Sequence, residues 1–136
     1  MKSFFFTLFL ITGIAFNGIS QNIASTLQST KWHVRGELDG KKMILSSKVA
    51  TSADWEAKFS PTGMLSYCYT TKTTVIDATG MEIKPNTYYC DDFNNYEVKN
   101  NVIQIKHLDK VYYYTVKALD NKEGYELNPA TAADFK

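Results

Sequence analysis

Between Trp32 and Leu127 apolar and polar residues alternate, and turn signals recur at short intervals. A period of two marks strands with one buried face, and frequent turns mark an all-β sandwich or barrel. Strong helical periodicity is missing. In "SPTG" (60–63) Ser, Pro and Gly stand where a type I turn followed by a left-handed glycine requires them. Closing Ser60 on Met64 sets Phe59 opposite Leu65, Ala57 opposite Tyr67 and Trp55 opposite Tyr69. "DATG" (77–80) reads the same way. It closes Asp77 on Met81, so that Val75 meets Ile83, Tyr69 meets Tyr89 and Cys68 meets Cys90. Asn100–Asn101 suits a two-residue turn pairing Val98 with Ile103 and Tyr96 with Ile105. "LDKV" (108–111) is expected to return the chain with Ile105 on Tyr114 and Ile103 on Val116. "DNKEG" (120–124) leads to a last strand through Tyr125 and Leu127, ended by Pro129. At the other end Trp32, Val34 and Leu38 alternate before Asp39–Gly40, and Met43 to Leu45 makes a brief strand. Ser46 to Asp54 reads as a loop or one helical turn.

Parity then sorts the faces. Odd positions carry Trp55, Ala57, Phe59, Leu65, Tyr67, Tyr69, Val75, Ile83, Tyr89 and Phe93, whereas even positions carry Glu56, Lys58, Lys72, Glu82, Lys84 and Asp92. One face is apolar and aromatic and the other wet, as in an antiparallel sheet with a single buried side. The two cysteines fall opposite each other on the wet face. Their register was set by the turn and not by the cysteines. Residues directly opposite on neighbouring strands bring their Cβ atoms within bridging reach, so a Cys68–Cys90 disulfide is expected. Pro85 lies in the second strand of that hairpin, cannot donate to a ladder, and calls for an edge, break or bulge there.

The first twenty residues stand apart from this grammar. Lys2 precedes a short apolar run from Phe4 to Phe16, and Gly18 and Ser20 supply small residues at −3 and −1 before Gln21. This is the pattern of a secretory signal peptide cleaved after Ser20, leaving one domain over 21–136. The run is shorter than the roughly 20 apolar residues that a spanning helix needs. No cysteine stands near the cleavage point, so the expected product is exported, periplasmic or extracellular, and not a lipoprotein. An exported compartment also favours oxidation of the cysteine pair. Lys2 is one of 15 Lys and Arg residues, so the rest of the chain carries 14 basic residues against 14 acidic ones. Arg35 is the only arginine. A nucleic-acid partner, which calls for a basic excess, is disfavoured, and so is an anionic membrane surface.

Sequential hairpins of this number, in a chain this short, favour an antiparallel up-and-down meander of eight or nine strands closing into a barrel, because closure removes exposed edges. "LQSTKWHVRGELDG", "WEAKFSPTGMLSY", "YEVKNNVIQI" and "YYYTVKALDNKEGYELNP" span nearly the whole of 21–136. They resemble the small secreted lipocalin-like domains common in Bacteroidetes-type bacteria, with a Trp on the first strand and an F-x-x-x-G hairpin. The resemblance implies a lipocalin-like β-barrel. Thr30 stands where lipocalins usually place a Gly two residues before the Trp, and no arginine after Arg35 is available to pack over Trp32. The resemblance therefore does not supply the closure of the barrel's base.

The candidate chemistry is aromatic. Trp32, Trp55, Phe59, Tyr67, Tyr69, Tyr89, Phe93, Tyr96, Tyr112 and Tyr114 are assigned inward, and six of these ten are tyrosines, whose hydroxyls need partners when buried. Thr71, Thr73 and Thr87 share their face. Small barrels fill their interior with side chains, so one reading is a filled core. The other is an amphipathic pocket for a small, lipophilic or amphipathic ligand, with Trp32, Trp55, Tyr67, Tyr69, Tyr89, Tyr96, Tyr112 and Tyr114 as candidate wall residues. A rival class is a ligand-free interaction or structural module working through its surface or an open sheet edge, with "VYYYTV" (111–116) as the strip. Catalysis ranks third. His33 points outward and His107 inward, strand alternation sends Asp91 and Asp92 to opposite faces, and no phosphate loop, nucleophile elbow or zinc spacing is visible. No metal and no cofactor is implied.

Overall fold

The computed structural model describes residues 22–48, 55–120 and 123–136. The proposed signal peptide and most of the Ser46–Asp54 stretch lie outside the described residues. Among the described residues ten strands follow in chain order: β1 (Trp32–Arg35), β2 (Met43–Ser46), β3 (Trp55–Phe59), β4 (Met64–Thr70), β5 (Val75–Ile76), β6 (Glu82–Ile83), β7 (Tyr88–Lys99), β8 (Val102–His107), β9 (Lys110–Ala118) and β10 (Gly124–Pro129). Eight of them form a closed antiparallel barrel in the order β1-β2-β10-β9-β8-β7-β4-β3, and β5 and β6 pair separately as a small ribbon. One step departs from meander order: β3 pairs with β1, and β2 pairs with β10. Every pairing remains antiparallel, so closure is preserved.

The two glycine turns form as their residues require. Ser60 N–H bonds Met64 O at 2.9 Å and Asp77 N–H bonds Met81 O at 3.0 Å. Gly63 and Gly80 take φ of 87° and 85°, which an L side chain adopts only under strain. Ala57 faces Tyr67, Phe59 faces Leu65, Tyr69 faces Tyr89 and Val75 faces Ile83. Cys68 faces Cys90 and is bonded to it, with the Cα atoms 4.0 Å apart. Closing a loop of this length contributes about 3 kcal/mol through the unfolded state. Pro85 breaks the strand without shifting its register. β6 ends at Ile83 and β7 begins at Tyr88. Between them Thr71 holds the gap by accepting from Asn86 N–H at 2.7 Å and by donating its own N–H to Thr87 O at 2.8 Å. Thr71 is buried, but Thr73 and Thr87 are exposed, because the ribbon leaves the barrel at this point.

Two expectations need correction. The first concerns β8 and β9. His107 pairs with Lys110, so the turn is only Leu108–Asp109, with Leu108 at φ 55°. Ile105 therefore faces Tyr112 and Ile103 faces Tyr114, two residues from the expected register. An even slip keeps every side chain on its own face, so Tyr112 and Tyr114 still point inward. The second concerns Phe93, which is 45 % exposed. Tyr67 pairs with Asp91 but Leu65 pairs with Asn94, so Ser66 alone spans Asp92 and Phe93. This β-bulge inserts one residue and reverses the parity of β7 beyond it. Asp92 and Phe93 both turn outward, while Asn94 and Tyr96 turn inward.

The base of the barrel is sealed by a helical segment over 22–28 that alternation does not reveal. Leu27 is fully buried in the core, and its carbonyl accepts the indole N–H of Trp32 at 2.9 Å. Gln28 Nε2 donates to the Tyr96 hydroxyl at 2.8 Å, and that hydroxyl donates to Ser60 O at 2.6 Å. Leu27 thus meets Trp32, and Gln28 meets Tyr96, at this end of the barrel. Above this plug the interior is packed by Val34, Leu45, Leu65, Ile103, Ile105 and Leu127.

Candidate functional site

The opposite end of the barrel is the mouth, where β1 turns into β2 and β4 and β8 end. A cavity of about 320 Å³ opens there, lined by Glu37, Leu38, Trp55, Tyr67, Tyr69, Asp91, Asn94 and His107. Its volume lies at the lower end of the roughly 300–1,000 Å³ typical of small-molecule sites. One wall is aromatic. Trp55, at the start of β3, stacks obliquely on Tyr67 and Tyr69 of β4, with ring centroids 4.7 and 4.2 Å away. The β1–β2 loop folds over the mouth and is pinned from below. Tyr67 O–H donates to Gly36 O at 3.3 Å, and Gly40 N–H donates to the Tyr114 hydroxyl at 3.1 Å. Gly40 takes φ of 85°, which strains an L side chain, and a Cβ there would also come within 3.3 Å of the Tyr112 ring.

The other wall is polar and is a product of the bulge. Asp91 Oδ1 accepts from Phe93 N–H at 3.0 Å, which ties the bulge together. Asn94, 1 % exposed, donates its amide N–H to Asp91 O at 3.0 Å and bonds His107 Nδ1 through its amide oxygen. Asp91 Oδ2 lies 3.7 Å from His107 Nδ1. Burial, and after it the nearby carboxylates, holds the aromatic hydroxyls protonated. Burial pushes the Tyr67 phenol well above its ordinary value, with Tyr114, Glu37 and Asp39 adding to the shift. Burial also raises Tyr69, helped by Asp91. Tyr114 is pushed up to about 12 by burial, against the stabilising N–H of Gly40.

Of the eight aromatic wall residues expected from sequence, Trp55, Tyr67 and Tyr69 come together at the cavity. Tyr89 touches the edge of Tyr69, with ring centroids 5.9 Å apart, from outside the cavity lining. Tyr112 and Tyr114 pack in the core beneath the β1–β2 loop. Trp32 and Tyr96 belong to the base, where Trp32 packs near Tyr125 and Tyr96 meets Phe59 edge-on. Sequence reasoning missed Glu37, Asp91 and Asn94 as partners of this wall. His107 has inner parity, but only the bulge brings Asp91 and Asn94 beside it. His33 sits on the outer face opposite Glu56, away from His107. Among the described residues no group of three His, Cys, Asp or Glu side chains is arranged to hold a metal ion.

The "VYYYTV" strip has no open edge, because β9 is paired with both β8 and β10. Its outward ring, Tyr113, is covered in part by Phe135, whose centroid lies 5.7 Å away. No helix among the described residues is long and apolar enough to cross a membrane. Comparison of the chain with known protein families, curated proteins and solved structures finds no match.

Proposed function

We propose that this chain is an exported, lipocalin-like binding protein that holds one small, partly apolar molecule in the mouth of its barrel. The observation that carries this reading is the cavity itself. Three aromatic rings line one side and a hydrogen-bonded polar group the other, above a base already filled by Leu27 and Trp32. A core serving packing alone would be filled at both ends. The signal-peptide pattern and the Cys68–Cys90 bridge support export. The lipocalin-like resemblance of the strand motifs points the same way, and the polar wall carries no catalytic assignment here.

Native mass spectrometry of the exported protein, purified without detergent, tests this reading. The expected result is an added mass that disappears on denaturation and is absent from the Trp55→Ala variant. A clean polypeptide mass, together with Trp55 emission indifferent to lipophilic and amphipathic compounds, would overturn the pocket. It would favour the surface-module reading instead.

A further inference from the structure

The polar wall of the cavity is built almost wholly of hydrogen-bond acceptors. Asn94 donates its amide N–H to the Asp91 carbonyl, so its oxygen faces His107. An oxygen accepts, so the His107 proton sits on Nδ1, and neutral His107 leaves Nε2 as a lone-pair acceptor. The oxygen and one N–H of the Asn94 amide are thereby used. Asp91 and Glu37 add carboxylates, which only accept. The Tyr67 hydroxyl spends its proton on Gly36 O. Among the described residues no lysine or arginine lines the cavity. The lysines of the neighbouring loop turn elsewhere, Lys41 to Asp39 at 3.9 Å and Lys42 to Glu126 at 3.5 Å. Glu37 has no ion-pair or hydrogen-bond partner for its side chain among the described residues.

Opposite these acceptors stand the faces of Trp55, Tyr67 and Tyr69, whose π-systems attract cations and are strongest for Trp. Both walls therefore select the same charge. A carboxylate ligand would meet the like charges of Asp91 and Glu37, and a neutral ligand would gain nothing from either charge. The geometry points to a small organic cation as the ligand of this cavity: a primary or methylated ammonium carried on a ring or short apolar body. The inference rests on the pocket reading above and adds the ligand's charge to it. The body lies against Trp55 and the ammonium between Asp91 and Glu37. A cavity of about 320 Å³ suits a single ring with a short arm. The ammonium comes from a free amine or from a lysine side chain of a peptide, and the chemistry is common to both.

The test is calorimetric titration at about pH 8, above the ordinary imidazole range, with four probes. These are 2-phenylethylammonium, 2-phenylethanol, 3-phenylpropanoate and an Ala-Lys-Ala peptide with blocked ends. The expected result is that the ammonium binds about tenfold or more tightly than the alcohol, the scale of one charge-assisted contact, and that the carboxylate binds worst. Asp91→Asn keeps the acceptor that holds Phe93 N–H, and Glu37→Gln alters only an exposed carboxylate. Each is expected to remove most of the preference for the ammonium while leaving the weaker binding of the alcohol in place. Peptide binding as tight as that of the amine would equally support the cation and assign it to a polypeptide. Equal binding of alcohol and ammonium, or tighter binding of the carboxylate, overturns the cation inference and leaves the pocket standing. Absence of binding by all four probes overturns both.

Discussion

Tyr96 shows how much one hydroxyl settles in this molecule. It accepts from Gln28 and donates to Ser60 O, and so ties the helical segment over 22–28 to the β3–β4 turn across the base. A phenylalanine would keep the ring contact with Phe59 but leave the Gln28 amide and the Ser60 carbonyl short of a partner. Tyr96→Phe is expected to lose about 1–2 kcal/mol in chemical denaturation, the cost of unmet hydrogen bonds at a half-shielded site. Its cavity at the far end should still bind as before. The tyrosine wealth of the interior is thus divided: Tyr96 and Tyr114 hold structure together, while Tyr69 stands at the cavity. Inward parity was legible for all of them. The division was not, because it depends on which end of the barrel each residue reaches.

At the level of elements, the β10–β2 pairing closes the barrel and has a narrow tolerance. A Cβ on Gly124 would stand 1.9 Å from Leu45 O, a backbone atom that cannot move aside without breaking the ladder. Gly124→Ala is expected to cost several kcal/mol, about 3 or more, or to prevent folding, by overpacking against backbone. Far-ultraviolet dichroism through a denaturant series reads this directly. In sequence, this glycine looks like the end of a turn. Its close approach to β2 arises because β1 lies between β2 and β3, which no local signal announces. The bulge in β7 has the same character. It turns Phe93 out and Asn94 in, and so creates the polar wall from residues that simple alternation scatters. The hairpins with strong turn chemistry, SPTG, DATG and Asn100–Asn101, were legible to the residue. The turn at Leu108–Asp109 was not, because a leucine at positive φ carries no turn signature.

For the whole molecule, the buried phenols make stability depend on alkaline pH. Unfolded tyrosines ionise near about 10, whereas burial pushes Tyr114 up to about 12 in the folded barrel and raises Tyr67 as well. The folded pKa is raised, so the contribution is complete below about pH 10 and is lost as pH climbs through the folded values. Denaturation midpoints should fall steeply from about pH 10 upward, in step with phenolate absorbance. Tyr67→Phe should flatten that slope whatever it does to stability at neutral pH. A pH-independent midpoint across this window would mean that the two phenols ionise freely in the folded state.

Local chemistry alone determined the strand faces, most hairpin registers, the cysteine pairing and the barrel class, because turns and alternation act over a few residues. Pro85 could be flagged from sequence as a break, and the structure shows that the break releases a ribbon without moving the register. Only the tertiary structure decided which end of the barrel is filled and which is open. That outcome depends on a short helical segment contributing Leu27 and on a single inserted residue in β7, through contacts between residues far apart in the chain. The Asp91–Asn94–His107 wall follows from that insertion. Period-two reasoning sees each residue's face, but it cannot see where a strand gains one residue over its neighbour.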